Sequence, residues 1–204
     1  MNYIEWIFEK LTEEDRKKLL EMVNPKRGKD KLPKCEDGEI FKIADMEFIK
    51  FPDEDGSFAA VAKESIFDSQ FGDDNNLSTS KVLKRLEKDV LPKIEEAVGA
   101  ENVLAFTTDL TTLDGLKPYE DLTSKISLPT FDFYRKNVAT FDKYKLEKWW
   151  WIATPNSVYS HASNDCIVCV SPHGGIDSND YDYGDGGVRP FLRFSSSIFE
   201  SFED

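Results

Sequence analysis

Three consecutive tryptophans, Trp149–Trp151, constrain the fold of this chain more than any other feature of its sequence. The apolar run continues to Pro155, and a short run of bulky residues is typical of a strand. Successive side chains of a strand point to opposite faces. We therefore predict that Trp149 and Trp151 are structural core residues and that Trp150, on the other face, lines a pocket.

Two further strand-like segments follow the tryptophan run. One covers Cys166–Ser171, and the other runs from Val188 to Phe194. Arg189 lies between a Gly-Gly pair and a Pro-Phe step, where glycine lets the backbone approach closely. A guanidinium held there needs a carboxylate or several carbonyl oxygens as partners. We predict that Arg189 is structural and locks the closing strand to the body of the domain.

The sequence divides into two regions. Over residues 1–24 apolar residues recur at helical spacing, and Thr12 opens a capping box for a second helix. Residues 26–34 are basic and contain glycine and proline, which indicates a solvated linker or, alternatively, a contact for an anionic partner. We predict helices and a linker over 1–36 and a second domain over 37–204.

The second region combines strand and helix patterns. A hairpin is predicted over residues 40–62, because apolar residues alternate on both sides of a glycine turn. A helix is predicted over 80–98, with Ser78 as its N-cap, and Pro92 is expected to kink or split it. A short helix follows over 130–136. Strands and helices mixed along one domain indicate the α+β class.

The net charge narrows the classes of partner. It is −13, from 39 acidic and 26 basic side chains among 204 residues. A field of this sign repels nucleic-acid phosphates and anionic lipids. We therefore expect no direct nucleic-acid binding and favour a protein partner with a basic surface.

The sequence also indicates a compartment. No stretch approaches the ~18 apolar residues that a membrane-spanning helix needs, and the N-terminus lacks the basic region of a secretion signal. Cys35, Cys166 and Cys169 are too few, and odd in number, for a disulfide framework. We expect a cytoplasmic protein without membrane association.

Residues 177–187 form an acidic segment with interleaved tyrosines, which we expect to be a loop. It is interpreted as a solvated loop, a calcium site or a recognition surface. The calcium-loop pattern fails because, counted from Asp180, its glycine comes too early and its closing position is Phe191. No metal site is predicted. The residues predicted to bind a partner are Asp180, Tyr181, Asp182, Tyr183, Asp185 and, in addition, Trp150.

The Cys166-x-x-Cys169 spacing is one that redox and metal sites use. On a strand, however, the two side chains point to opposite faces, and the sequence offers no second half-site for zinc. His161 and His173 lie in polar loops and are expected to be solvated. No nucleophile–base, phosphate-binding or dinucleotide motif is present. We predict a protein that is not an enzyme and holds no cofactor.

The closing segments carry a resemblance to a known family. The sequences WWWIATP, ending at Pro155, VSPHG, ending at Gly174, and GGVRPF, ending at Phe191, resemble the closing motifs of a bacterial and phage domain family of unknown function. Its members end in a WWL-(R/A)-(S/T)-P segment, a strand with a V-S-x-x-G turn and a GVRP-(A/F) strand. The resemblance covers residues 38–199, and Ser195–Phe199 has counterparts in prophages of Firmicutes.

The closing motifs are also similar to those of C-type-lectin-like folds. These folds include formylglycine-generating enzymes and the variable receptor-binding proteins of diversity-generating retroelements. The resemblance implies an α+β, C-type-lectin-like mixed core with an N-terminal helical appendage outside it. Ala153 stands where many family members have arginine, which weakens a charged binding role for this strand.

Three functions compete. The first is a non-catalytic protein- or ligand-binding module of phage or prophage origin, which the lectin-like resemblance favours. The second is an acidic phage-encoded inhibitor of a host defence system, resembling an anti-CRISPR protein and imitating nucleic acid through its negative charge. The third is an oxidase related to formylglycine-generating enzymes. The first two place the protein in the host bacterial cytoplasm or on a virion, and the sequence leaves its oligomeric state open.

Overall fold

The structure is a computed structural model. It describes Thr12 and residues 31–54, 56–158 and 165–199. Its contacts divide the chain into two units, Met1–Lys31 and Leu32–Asp204. The helices predicted over 1–24 lie outside the described residues, apart from Thr12, which is exposed.

The division between the units falls inside the predicted linker. Leu32 belongs to the second unit, where its N–H donates to the Ile198 carbonyl at 2.8 Å. Cys35 is buried in the same unit. The residues just before position 37 therefore pack with the domain that follows them.

The first sheet contains six strands and brings the two ends of the second unit together. β1 (Ile40–Ile43), β2 (Met46–Pro52) and β3 (Ser57–Ala62) are consecutive antiparallel neighbours. β13 (Phe191–Ser195) pairs antiparallel with β3. The two short strands that pair with β13 are β5 (Val103–Leu104) and β8 (Ile126–Ser127). The hairpin predicted over 40–62 is confirmed.

The second sheet has five strands in the order β11-β10-β9-β12-β4. They are β4 (Phe67–Ser69), β9 (Trp150–Pro155), β10 (Cys166–Val170), β11 (Ile176–Asp180) and β12 (Gly186–Val188). β9 and β12 are parallel, with Trp150 and Gly187 as partners. The WWWIATP and GGVRPF segments, which carry the family resemblance, are therefore neighbouring strands.

The loop predicted over 177–187 is wrong at both ends. Its first residues belong to β11 and its last residues to β12, so only Tyr181–Asp185 connect the two strands. β11 pairs with the whole of β10, from Cys166 opposite Asp180 to Val170 opposite Ile176. No side chain of β11 is fully buried, so the strand lacks the apolar alternation that identifies a strand in a sequence.

The helix predicted over 80–98 is split, as the position of Pro92 indicated. α1 (Lys81–Arg85) leads into a π-helical turn, Leu86–Val90, and then into α2 (Leu91–Val98). Pro92 lies in the first turn of α2, directly after the π-helical turn, and it has no N–H to donate to the preceding turn. The predicted cap is wrong: Ser80, not Ser78, accepts the Leu83 N–H at 3.0 Å.

Smaller elements complete the domain. β6 (Phe106–Thr108) pairs with β7 (Leu122–Ser124). The helix predicted over 130–136 is α3 (Phe131–Lys136), and α4 (Val138–Phe141) follows it. Of the described helices, none is long and apolar enough to cross a membrane. The mixed α+β class is thus observed.

Two hydrophobic clusters fill the domain, and both sheets contribute to each of them. In β9, Trp151 and Ala153 belong to the larger cluster, whereas Trp150 and Ile152 belong to the smaller one. All residues of β9 are buried, as expected for a strand that is covered on both faces. Trp149 precedes the strand, is half-buried and forms a T-shaped ring pair with Trp151, with 4.5 Å between ring centroids.

Candidate functional site

Five aspartates, of which Asp180, Asp182 and Asp185 were predicted to bind a partner, lie along one edge of the second sheet. Asp165 precedes β10, Asp177 and Asp180 lie on β11, and Asp182 and Asp185 lie in the connection to β12. All five side chains are exposed. We call these five residues the acidic edge.

No basic side chain of the described residues neutralises the acidic edge. Within the described parts of the chain, no lysine or arginine nitrogen lies within 4.0 Å of any of its carboxylates. Carboxylates elsewhere do have such partners: Asp73 pairs with Lys81 at 2.6 Å and Asp68 with Lys148 at 2.7 Å. The negative potential of the acidic edge is therefore directed to solvent.

Backbone hydrogen bonds hold the Tyr181–Asp185 connection in place. The Tyr181 carbonyl accepts the Phe71 N–H at 2.8 Å, and the Gln70 side chain donates to the Asp182 carbonyl at 2.8 Å. The Tyr181 ring is half-buried and packs against the larger hydrophobic cluster. Tyr183, by contrast, is 52% exposed. Of the two predicted tyrosines, Tyr183 is the one exposed to solvent, and Tyr181 anchors the connection to the core.

The backbone of the edge strand is partly blocked. Hydrogen-bonded pairs, Ser171–Gly175 and Asp165–Tyr181, flank the β10–β11 ladder at its two ends. Hydrogen-bonded and non-hydrogen-bonded pairs alternate along an antiparallel ladder, so the backbone N–H and C=O groups of Ser178 and Asp180 point away from β10. The Asp177 carboxylate accepts the Ser178 N–H at 2.8 Å, and Tyr183 N–H donates to the Asp180 carbonyl at 3.1 Å. Charged side chains and occupied edge groups disfavour the addition of a further strand.

One group of metal-type ligand atoms lies at the acidic edge. In the described chain, Asp165, Cys166 and Asp180 are the residues whose ligand atoms lie within 4.8 Å of one another. The Cys166 thiol donates to Asp180 Oδ1 at 3.2 Å, which explains their proximity without an ion. Calcium prefers oxygen ligands, and the other acidic-edge carboxylates do not join the group. The geometry does not favour the calcium interpretation.

The cysteines of the Cys166-x-x-Cys169 spacing are buried in β10. Burial, and secondarily the nearby Asp177 charge, raises the pKa of the Cys169 thiol to about 12. A thiol with such a pKa stays protonated at neutral pH and is a poor nucleophile. Asn179 Nδ2 lies 3.7 Å from its sulfur and donates to it. His173 is exposed, and His161 lies outside the described residues.

Trp150 lies inside the domain and not on its surface. It is 2% exposed and packs among Tyr134 and Phe141 in the smaller cluster. The opening that it lines is a crevice of about 10 Å³. Its burial removes Trp150 from any surface that a folded partner can contact, because the strand carrying it is covered on both faces.

Arg189 is almost completely buried, at 1% exposed. Its Nε donates to the Ala62 carbonyl at 2.8 Å, and its guanidinium carbon lies 4.7 Å from the Trp150 ring centre. Within the described chain no carboxylate lies within 4.0 Å of it. The prediction that Arg189 pairs with a carboxylate or several carbonyl oxygens is therefore wrong. Its observed partners are one carbonyl oxygen and the faces of aromatic rings. Burial lowers the Arg189 pKa to about 10, which leaves it protonated at neutral pH.

A second candidate site was not found from the sequence. It is a groove of about 550 Å³, within the range of about 300–1,000 Å³ typical of ligand pockets. The π-helical turn Leu86–Val90 borders it, and such turns are frequent at functional sites. Pro92 was the signal in the sequence that a helical irregularity occurs here. The groove presents both signs of charge, from Lys42, Arg85 and Lys93 and from Asp45, Glu47, Glu64 and Asp89.

Comparisons with protein-family models, with curated proteins and with solved structures find no match for this chain. The resemblance to the phage domain family, based on its closing motifs, stays a prediction.

Proposed function

We propose that this chain is a non-catalytic binding module that recognises a protein with a basic surface through the acidic edge and Tyr183. The observation that carries the proposal is the set of five exposed carboxylates without a basic neighbour in the described chain. Charge complementarity steers association and selects partners. An exposed tyrosine adds contact area at a low cost in conformational entropy.

The module presents this surface from a fixed base. β10 and β11 pair along their whole length, and the connection after them is tied to Gln70 and Phe71. A rigid base lowers the entropy lost on binding. Because the edge of β11 is partly blocked, recognition of basic side chains on a folded partner is favoured over the addition of a partner strand.

The C-type-lectin-like class and the phage or prophage origin belong to the same proposal. The motifs that suggest them form adjacent strands, with Gly187 N–H donating to the Trp149 carbonyl at 3.1 Å. A module of this kind acts in the host cytoplasm on a host protein or on a virion as a receptor-binding element. The groove bordered by the π-helical turn is the place for a small ligand.

The second candidate function is inhibition of a nucleic-acid-binding defence protein by charge mimicry. It rests on the same acidic edge and on the net charge of −13. The two functions differ in what competes for binding. Duplex DNA displaces the chain from its partner if the chain occupies a nucleic-acid groove, and does not displace it from another basic surface. The oxidase function receives no support from the protonated, buried Cys169.

The proposal is tested with variants that change charge without changing the fold. The chain, immobilised, captures proteins from bacterial lysate, and the captured protein is purified and titrated against wild type and variants. Asp182→Asn with Asp185→Asn removes the charge of two carboxylates that form no hydrogen bond or ion pair with a described residue. We expect affinity to fall about 2- to 30-fold, the effect of two exposed ion pairs.

The matched control removes the same charge elsewhere. Glu87→Gln with Glu120→Gln changes two exposed glutamates that also lack a described partner. The control should bind like wild type. Equal affinity for the acidic-edge variant and the wild type would overturn the proposal, and equal loss in both variants would reduce it to a general charge effect.

A further inference from the structure

The groove at the π-helical turn is partly lined by apolar side chains. These are Met46, Ile66, Phe67 and Val90. The first three are half-buried and pack against the larger hydrophobic cluster, to which Val90 belongs. With about 550 Å³, the groove has the volume of sites that hold drug-sized ligands, a size that a tripeptide also has. An occupant with an apolar body would remove this lining from water.

Arg85 offers hydrogen-bond donors to the groove from a fixed position. Its guanidinium carbon lies 3.8 Å from the Phe67 ring centre, and its Nη1 donates to the Asp68 carbonyl at 3.3 Å. The 3.8 Å from its Nε to the Asp89 carboxylate is too long for a hydrogen bond. The side chain is exposed, and its guanidinium forms no other hydrogen bond with a described residue. A planar guanidinium held in this way is suited to a carboxylate.

Two further cations of the groove are unpaired. Lys42 lies on β1 and Lys93 on α2, and both side chains are exposed. No carboxylate of the described residues lies within 4.0 Å of either ammonium. Together with Arg85, they favour an occupant that carries an anionic group.

Two anions of the same groove are unpaired as well. Glu47, on β2, pairs with Lys63 at 2.8 Å. Asp45 and Glu64 are exposed lining residues that have no lysine or arginine nitrogen of the described chain within 4.0 Å. These two carboxylates favour a cationic group on the occupant.

A ligand with charge of only one sign fits this lining poorly. A purely anionic ligand would be repelled by Asp45, by Glu64 and by the net charge of −13. A purely cationic ligand would lie beside the unpaired Lys42 and Lys93. A ligand that carries one group of each sign pairs with both sets, and its apolar body covers the apolar lining.

We propose that the groove binds a short peptide with free termini and apolar side chains. Its carboxylate would accept hydrogen bonds from Arg85, with Lys93 adding attraction, and its ammonium would pair with Glu64 and Asp45. Its side chains would cover Phe67 and the neighbouring apolar lining. The proposal rests on the proposed function, which assigns a small ligand to this groove, and it names the class of that ligand.

Calorimetric titration of the full-length chain with four forms of one peptide tests the charges of the ligand. Leucyl-alanyl-phenylalanine is used with free termini, acetylated, amidated and blocked at both ends, so the apolar body stays the same. We expect the free form to bind most tightly and each single block to weaken binding about 5- to 30-fold, because each terminus faces more than one opposite charge. Absent binding of the free form, or equal affinity of all four forms, would overturn the proposal. A loss caused by one block alone would also overturn it, since the ligand would then be singly charged.

Variants test the place of binding. Glu64→Gln should weaken binding of the free peptide and leave that of the acetylated form unchanged, because acetylation has already removed the ammonium. Lys93→Gln should likewise leave the amidated form unchanged. The matched controls are Glu87→Gln and Lys88→Gln, which change exposed residues of the π-helical turn that do not line the groove and have no described partner. Wild-type affinity for the free peptide in both groove variants would place the peptide elsewhere and contradict the proposal.

One further variant separates this proposal from recognition by the acidic edge. Asp182→Asn with Asp185→Asn should bind the free peptide like wild type, because neither residue lines the groove. Peptide binding by a chain that captures no basic protein would support the groove and refute the acidic edge. Capture of a basic protein without peptide binding would do the reverse, and loss of peptide binding in this variant would overturn the assignment to the groove.

Discussion

β9 and β11 belong to the same sheet, separated by β10, yet they are built in opposite ways. Every residue of β9 is buried, and no residue of β11 is. β9 carries two of the three consecutive tryptophans, Trp150 and Trp151, and β11 carries two carboxylates of the acidic edge. The comparison teaches that the most conspicuous sequence motif forms the interior, while the exposed carboxylates lie on and beside the strand at the edge of the sheet.

The contrast extends to the residues that join the strands. Arg189, between β12 and β13, is buried and fixed by the Ala62 carbonyl. Asp182 and Asp185, only a few residues earlier, are exposed, and their carboxylates form no hydrogen bond or ion pair with a described residue. We therefore expect substitutions on the two sides of this boundary to have different effects, on stability inside and on binding outside.

The largest expected effect is that of Trp151→Ala. Trp151 is fully buried, forms a T-shaped ring pair with Phe71 and donates its indole N–H to the Ser69 carbonyl at 2.9 Å. Loss of the ring leaves a cavity and an unpaired carbonyl, so the free energy of unfolding should fall by about 3–5 kcal/mol. Urea denaturation measures it, and an unchanged midpoint would show that β9 is not the core strand described above.

Two glycines, Gly184 and Gly186, locate the boundary between exposed and buried residues more precisely. At Gly186, a Cβ atom would overlap the indole ring of Trp151, whereas at Gly184 it would meet no atom within 4 Å. Gly186→Ala should therefore destabilise the fold by about 1–3 kcal/mol, the usual cost of overpacking. Gly184→Ala, a control in the connection that leads into β12, should leave the Tm nearly unchanged. Equal Tm shifts for the two variants would mean that the boundary is misplaced.

Alkaline pH should weaken the interior through Cys169. Its pKa is raised from 9.0 to about 12 in the folded state, chiefly by desolvation. The stability that this shift represents is present below pH 9 and is lost as the pH rises from 9 to 12, because the unfolded chain releases the proton first. In this window a single such group lowers the free energy of unfolding by about 1.4 kcal/mol per pH unit.

The control for this titration is Cys169→Ala. Cys35, Tyr119 and Tyr134, whose pKa values are also raised by burial, remain in the variant, so the difference between the two slopes isolates Cys169. Urea midpoints between pH 8 and pH 11 measure both slopes. Parallel slopes would show that Cys169 is not desolvated in the folded chain.

The smallest expected effect on stability is that of Tyr183→Ala. Because this ring is 52% exposed, the free energy of unfolding should change by no more than about 0.5 kcal/mol. Affinity for the captured partner should fall about tenfold or more, as for a tyrosine at the centre of an interface. Tyr181→Ala should do the reverse and lower the Tm, because Tyr181 packs on the core. If Tyr181→Ala lost binding without losing stability, Tyr181 would be the residue that contacts the partner, and not an anchor to the core.

Some of this architecture was predictable from local chemistry. The hairpin over 40–62 and the helix split at Pro92 follow from alternation and from the missing proline N–H, and both are observed. β11 could not be predicted, because an edge strand held by backbone pairing needs no apolar pattern. The burial of Trp150 was missed for a related reason, since the sequence does not reveal that β9 is covered on both faces.

The candidate site was predictable in composition and not in geometry. The sequence indicated acidic residues and tyrosines in one segment, but only the fold separates the anchored Tyr181 from the exposed Tyr183. The partners of Arg189 depend on a contact with Ala62, far away along the chain. The groove at the π-helical turn likewise combines residues from distant segments, so spacing could not have revealed it.

The salt dependence of partner binding tests the central claim most directly. Affinity is measured for wild type and for Asp182→Asn with Asp185→Asn from about 50 to about 300 mM salt, a range over which the Debye length shortens markedly. The account predicts that wild-type affinity falls with salt, that the variant's affinity falls less steeply, and that both proteins have the same Tm. Wild-type affinity that does not change with salt would contradict it.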